Sequence, residues 1–196
     1  VSSNKTDIEV IVIGGSAGSY SVVRKILSSL PHDFPLPLIM CLHRLRDIRN
    51  GFAESLNIDS TLPVREVQDK DALRPGCVYL SPANYHLLIE PDRSLALSTQ
   101  EDINYSRPSI DLTFETAGLS LGVHMAGILL SGTNKDGAKG LCCASRNGAF
   151  TVVQDPENAQ FGIMPGEAIA YFKPSMILKD SEITEFIISL KNNYYA

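Results

Sequence analysis

Short apolar runs that lack polar alternation recur along the chain, each followed by turn residues or by a stretch with helical spacing. "IEVIVIGG" (8–15) predicts a strand, and 19–30 predicts a helix that stops at Pro31. "LPLIMCLH" (36–43) predicts a second strand, 48–56 a short helix and "LPVREVQ" (62–68) another strand. "GCVYLSP", "YHLLIEP" and "SLALSTQ" are short and divided by turn residues, and read together as a local antiparallel insertion. Helix-like "SIDLTFETAGLSL" follows, with Ile110, Phe114, Ala117 and Leu121 on one side. Strand "HMAGILLSG", helix "DGAKGLCCASRNG", strand "AFTVVQD", a helix over 165–171, strand "SMILK" and helix "ITEFIISLKNN" complete the series.

Strand–helix alternation of this kind predicts an α/β fold: a doubly wound, mostly parallel sheet with helices on both faces and a short antiparallel insertion. "VIVIG" and "GILLSG" are apolar throughout, as central parallel strands are when both faces are covered. The 196 residues suit one domain with a substantial core, and no linker, repeat or low-complexity stretch divides 1–196.

Composition narrows the function classes. Seventeen basic against 22 acidic residues give a net charge of −5, with no basic run or aromatic-basic patch, which argues against a nucleic-acid partner. No apolar run reaches the ~18 residues of a membrane span, and no charged-then-apolar leader opens the chain, so membrane insertion is not expected and a cytoplasmic setting is. Cys41, Cys77, Cys142 and Cys143 form no Cys-x-x-Cys pair and have no histidine at zinc-ligand spacing, so free thiols are expected and no metal site is. Asn104-Tyr105-Ser106 matches a glycosylation pattern, which we take as chance.

The glycine-rich turn after the first strand admits two readings. A dinucleotide fingerprint needs G-x-G-x-x-G, but Ser16 and Ser19 occupy the second and third glycine positions, and no Gly-Lys-Ser/Thr follows for a P-loop. The other frame, Gly14-x-Ser16-x-Gly18, is the pattern of a nucleophile elbow, in which small flanking residues let a tight strand-to-helix turn raise the serine hydroxyl. A plain helix cap is the competing role for Ser16. A serine nucleophile needs a base, and of the four histidines His43 ends the second strand, at the sheet edge where Ser16 lies. His32 falls in a loop after Pro31, His86 in the antiparallel insertion, and His124 at the start of a strand on the opposite edge. For the orienting carboxylate, Asp136 follows the strand "GILLSG" and Asp155 follows "FTVVQ"; a helix cap is the competing role for Asp136. Backbone amides of the 131–135 loop are candidate oxyanion donors.

With "VIGGSAGS", "MCLH", "LRPGCVYLSPANYHL", "RPSIDLTF", "LLSGTNKDGAKG" and "FGIMPGEAI" in this order, the chain resembles the catalytic domain of the chemotaxis protein-glutamate methylesterases, the CheB family, over about 11–177. That resemblance implies a Ser-His-Asp triad that falls on Ser16, His43 and Asp136, with backbone N–H groups of Ala17 and Thr133 as oxyanion donors. It implies hydrolysis of glutamate γ-methyl esters on the cytoplasmic domains of methylated chemoreceptors, glutamine deamidation in many members, and no cofactor. The family usually has Ser-Thr-Gly-Gly where this chain has Ser16-Ala17-Gly18-Ser19, so it departs at Ala17 and Ser19. It departs also at Arg44-Leu45 after the histidine, and at Thr133-Asn134, where a methionine is usual at 133; a backbone N–H survives that exchange. Arg107 and Asp111 belong to the matching "RPSID" segment, where a structural role and a substrate contact both stay open, and they stand outside the proposed triad. The family's usual form carries an N-terminal phosphoacceptor receiver domain. Only about ten residues precede the first strand here, against ~100 for such a domain, so the expectation is either a stand-alone domain, with any regulator separate, or a receiver domain lying upstream of this sequence. The alternative is a catalytically weak homologue acting as a binding module in a signalling complex.

Overall fold

The computed structural model describes residues 7–44 and 51–194. Strands β1 (Val10–Gly15), β2 (Leu38–Leu42), β3 (Val64–Glu66), β5 (Val78–Leu80), β8 (Met125–Leu129), β9 (Phe150–Gln154) and β10 (Met176–Leu178) form one sheet in the order β10-β9-β8-β1-β2-β5-β3. Every pairing in it is parallel. β4 (Asp71–Ala72), β6 (His86–Ile89) and β7 (Ser94–Ser98) form a small antiparallel sheet in the order β4-β7-β6.

β1, β2, β8 and β9 are buried at every residue, which fits their unbroken apolar sequence and the helices on both faces. One core forms where α1 (Ser19–Ser29), α2 (Phe52–Asn57) and α6 (Asp180–Tyr194) cover the sheet, with Val23, Ile26, Leu56 and Ile187 meeting Ile11, Ile13 and Met40. On the other face α3 (Ile110–Leu121), α4 (Ala138–Arg146) and α5 (Ile163–Tyr171) set Phe114, Leu141 and Met164 against Val12, Ile39 and Val153. The predicted doubly wound α/β sheet is the one observed.

Two elements differ from expectation. The sequence pattern places "GCVYLSP" in the antiparallel insertion, yet its Val78–Leu80 is β5, buried throughout and inserted between β2 and β3 in the parallel sheet. Its place in the insertion is taken by β4, two residues too short to carry any periodicity. The helix expected over 48–56 begins at Phe52 and ends at Asn57; 48–50 lie outside the described residues.

α3 and α4 approach closely because glycines face the contact. A Cβ on Gly140 would stand 2.1 Å from the Asp111 carbonyl oxygen, and one on Gly118 2.5 Å from the Ala144 Cα. That proximity fixes the start of α4, and with it Asp136, against the start of α3.

Candidate active site

Ser16 sits in the turn between β1 and α1, partly exposed. Its backbone is fully engaged: the amide donates to the Ser131 carbonyl at 2.9 Å, and the carbonyl accepts from the Ser19 amide (3.0 Å) and hydroxyl (2.6 Å). The turn closes on Gly18, whose φ of 80° suits glycine. A Cβ there would meet Ser131 Oγ at 2.7 Å. Gly18 rather than Ser16 is the cap residue of α1, and no side chain caps that end, so the capping role weighed for Ser16 is not taken.

His43 immediately follows β2. The β1–β2 register runs to Gly15 opposite Leu42, and the His43 amide donates to the Gly15 carbonyl at 3.0 Å, so Ser16 and His43 are next in line at one sheet edge. Across that edge, His43 Nε2 lies 2.8 Å from Asp136 Oδ2, and the Asp136 side chain is fully buried.

Asp136 is held from several directions. Its Oδ2 also accepts from the Ile110 amide at 2.7 Å; its Oδ1 accepts from Ser109 Oγ (3.0 Å), Asn104 Nδ2 (3.1 Å) and the Asp111 amide (3.2 Å). Asp136 therefore does not cap its own helix, whose cap position is Gly137; its carboxylate lies over the N-terminus of α3, where free amides and the helix dipole favour an anion. Burial pushes this carboxyl up, but the His43, Ile110 and Asn104 hydrogen bonds outweigh it and hold the carboxyl below the ordinary aspartate range. An ionised Asp136 can only accept, so His43 donates from Nε2 and its neutral ring keeps the lone pair on Nδ1.

Asp111 mirrors this arrangement. Its Oδ1 accepts from the Gly137 (2.9 Å) and Gly140 (2.7 Å) amides at the start of α4, and its Oδ2 from Asn104 Nδ2 (2.9 Å). Burial, followed by the charge of Asp136, raises its carboxyl against the pull of the glycine amides. His86, fully buried in β6, accepts from the Ser109 amide on Nδ1 (3.1 Å) and pairs through Nε2 with the Glu101 carbonyl (3.0 Å), buttressing the cap of α3.

The other candidates fall elsewhere. His32 is exposed beside the Thr61 carbonyl, and His124 pairs with Asp7 and Glu9 at the opposite sheet edge. Asp155 accepts from the Glu157 amide in its own turn. Arg107 donates to the Thr99 and Gln100 carbonyls, both at 2.9 Å. Of the two oxyanion candidates, no described residue accepts from the Ala17 or Thr133 amide, and both residues are exposed beside the Ser16 turn and the β8–α4 loop. Ser109, Asn104 and His86 carry no sequence signal of their own as supports; they come together through long-range contacts. No group of three or more described His, Cys, Asp or Glu residues could hold a metal ion.

A parallel α/β sheet carrying at its C-terminal edge a His–Asp pair, a serine turn whose hydroxyl has no partner among the described residues, and amides without one among them, has the parts of a serine-type acyl hydrolase. A family model described as CheB methylesterase matches residues 11–187. A Leptospira interrogans protein named as a candidate protein-glutamate methylesterase/protein-glutamine glutaminase is 38% identical over 185 residues, covering 94% of this chain and 96% of that protein. A Methanospirillum hungatei protein-glutamate methylesterase/protein-glutamine glutaminase 2 is 36% identical over 184 residues; the match takes in 94% of this chain and 53% of that protein. Among solved structures, the Thermotoga maritima CheB methylesterase catalytic domain superposes with a TM-score of 0.86 at 28% identity, over 93% of this chain and 98% of that one. The chain belongs to the CheB methylesterase family, and thereby to the ester hydrolases.

Proposed function

We propose that this chain acts as one catalytic unit that hydrolyses glutamate γ-methyl esters on the cytoplasmic domains of methylated chemoreceptors, working in the cytoplasm and without a cofactor. The observation that carries the reading is the 2.8 Å His43–Asp136 contact one register step from Ser16. His43 Nδ1 takes the Ser16 proton as Oγ attacks the ester carbonyl, and Asp136 steadies the imidazolium that forms. The Ala17 and Thr133 amides receive the tetrahedral oxyanion. Collapse breaks the ester C–O bond, and His43 returns its proton to the departing oxygen as methanol. Water, deprotonated by His43, then releases glutamate from the acyl-enzyme. The same sequence applied to a glutamine side chain expels ammonia, the second activity in the names of both relatives.

Methanol release from methylated chemoreceptor membranes, measured for the protein and for Ser16→Ala, tests this directly. Release that vanishes in the variant supports the reading. Equal release from both, or none from a folded wild type, defeats it.

A further inference from the structure

We propose that Asn104 is a positioning residue whose side-chain amide clamps Asp136 and Asp111 together, so that Asp136 presents Oδ2 to His43 in one fixed orientation. The inference rests on the triad reading above and extends it to a residue that reaches the reaction only through Asp136.

The geometry is specific. One nitrogen, Asn104 Nδ2, lies 3.1 Å from Asp136 Oδ1 and 2.9 Å from Asp111 Oδ2. A primary amide carries two N–H bonds, and here one points to each buried carboxylate. The remaining groups on the pair are already spent: Ser109 Oγ and the Asp111 amide on Oδ1, Ile110 N and His43 on Oδ2, and the Gly137 and Gly140 amides on the far oxygen of Asp111. Among the described residues Asn104 is therefore the one side-chain group that touches both carboxyl groups, and it stands between them.

The backbone around it is shaped to deliver that amide. Asn104 and Tyr105 both adopt positive φ, 51° and 60°, in a turn closed by reciprocal Ile103–Ser106 hydrogen bonds of 3.2 and 2.9 Å. Asparagine tolerates this conformation better than most residues. The turn leaves Tyr105 at 98% exposure while the preceding side chain points inward. The Asn-Tyr-Ser pattern is thus explained by the inward role of its asparagine.

Two variants separate the clamp from mere turn shape. Asn104→Gly accepts positive φ without strain but has no amide; Asn104→Asp keeps size and backbone preference but replaces the donor with a third carboxyl. A role confined to the turn predicts both near wild type. The clamp predicts kcat lowered about tenfold to a hundredfold in both, the scale of a misplaced catalytic group, with KM changed less than threefold and the Asp variant the worse. A readout independent of turnover is the downfield proton resonance of His43 Nε2–H, expected to weaken or shift in both variants at unchanged melting behaviour. Either variant retaining the wild-type resonance overturns the clamp. Ser16→Ala, run alongside, leaves that resonance in place, so failure of the esterase reading and failure of the clamp give different results.

Discussion

Asp136 and Asp111 cap each other's helices. Asp136 stands just before the cap residue of α4 and accepts from the Ile110 and Asp111 amides that open α3, while Asp111, within α3, accepts from the Gly137 and Gly140 amides that open α4. The exchange locks the strand-end aspartate that faces His43 to a helix remote from it in sequence. The family segment Arg-Pro-Ser-x-Asp and the turn Ser-Gly-x-x-x-Asp-Gly meet in space at this contact.

Loss of the Asp111 carboxylate strands two buried amides. Asp111→Ala is expected to destabilise the fold by about 2–3 kcal/mol, the desolvation cost of donors left without acceptors. Asp111→Asn retains Oδ1 for both glycine amides and costs less. Urea unfolding at neutral pH checks the order: equal midpoints for the two variants contradict the exchange of caps.

Every position around the Asp136 carboxyl is occupied by a donor, so Asp136→Asn has nowhere to place its amide hydrogens without opposing one. Turned toward His43, that amide forces Nε2 to accept and moves the ring proton to Nδ1, the nitrogen proposed above as the base. A fall in kcat of about 10³–10⁴-fold is expected, with the larger figure for a pure tautomer error. Single-turnover methanol release measures it; a loss under tenfold rules out this use of the ring nitrogens.

The same hydrogen bonds give an acid dependence with a definite sign. The folded-state carboxyl of Asp136 lies below its ordinary value because its donors outweigh burial. Its contribution to stability is then complete above the unfolded aspartate pKa of about 3.9 and disappears as pH falls through the lower folded value. Asp111, raised by burial, acts in the opposite sense. The advantage of wild type over Asp136→Asn in urea should be greatest near neutrality and shrink below about pH 4. A constant difference across that range refutes it.

The sheet edge was legible because its signals are local. Gly14-x-Ser16-x-Gly18 breaks an apolar run, His43 directly follows one, and Asp136 closes the polar turn after another. β5 was misplaced for an equally physical reason: a three-residue strand between turns has the same composition whether it pairs parallel or antiparallel, and register with β2 and β3 decides it. Its unbroken burial, unlike the mixed patterns of β6 and β7, was the trace that separates them. Asn104 and His86 were hidden differently. Their partners lie in other segments, so no spacing along the chain marks them.

Cys41, between Met40 and Leu42 of β2, lies close to this edge yet should stay inert. Burial pushes its thiol up to about 12, and the charge of Asp136 adds to the effect. At pH 8 only about one molecule in 10⁴ then carries the thiolate, the form that reacts. Native alkylation at that pH, read by peptide mass spectrometry, should spare Cys41 and modify the partly exposed Cys77 and Cys143 first. Early labelling of Cys41 shows that the strand opens.

The serine turn depends on Gly18 in two ways. Its φ of 80° disfavours any side chain, and an added Cβ would press on Ser131 Oγ at 2.7 Å and Gln160 Cβ at 2.8 Å. Ser131 is the fastening here: its hydroxyl donates to the Ala17 carbonyl and accepts from the Phe161 amide, tying the turn to the loop before α5. Gly18→Ala therefore displaces either the Ser16–Ala17 backbone or that loop. Overpacking of this kind costs about 1–3 kcal/mol, and the displaced Ser16 Oγ and Ala17 amide should cost far more in kcat than the melting temperature suggests. Ser131→Ala removes the fastening without the clash and is expected to lower kcat by a smaller factor. Wild-type turnover in Gly18→Ala means that the turn tolerates a shift of its backbone, and that Ser16 is not held as an elbow nucleophile.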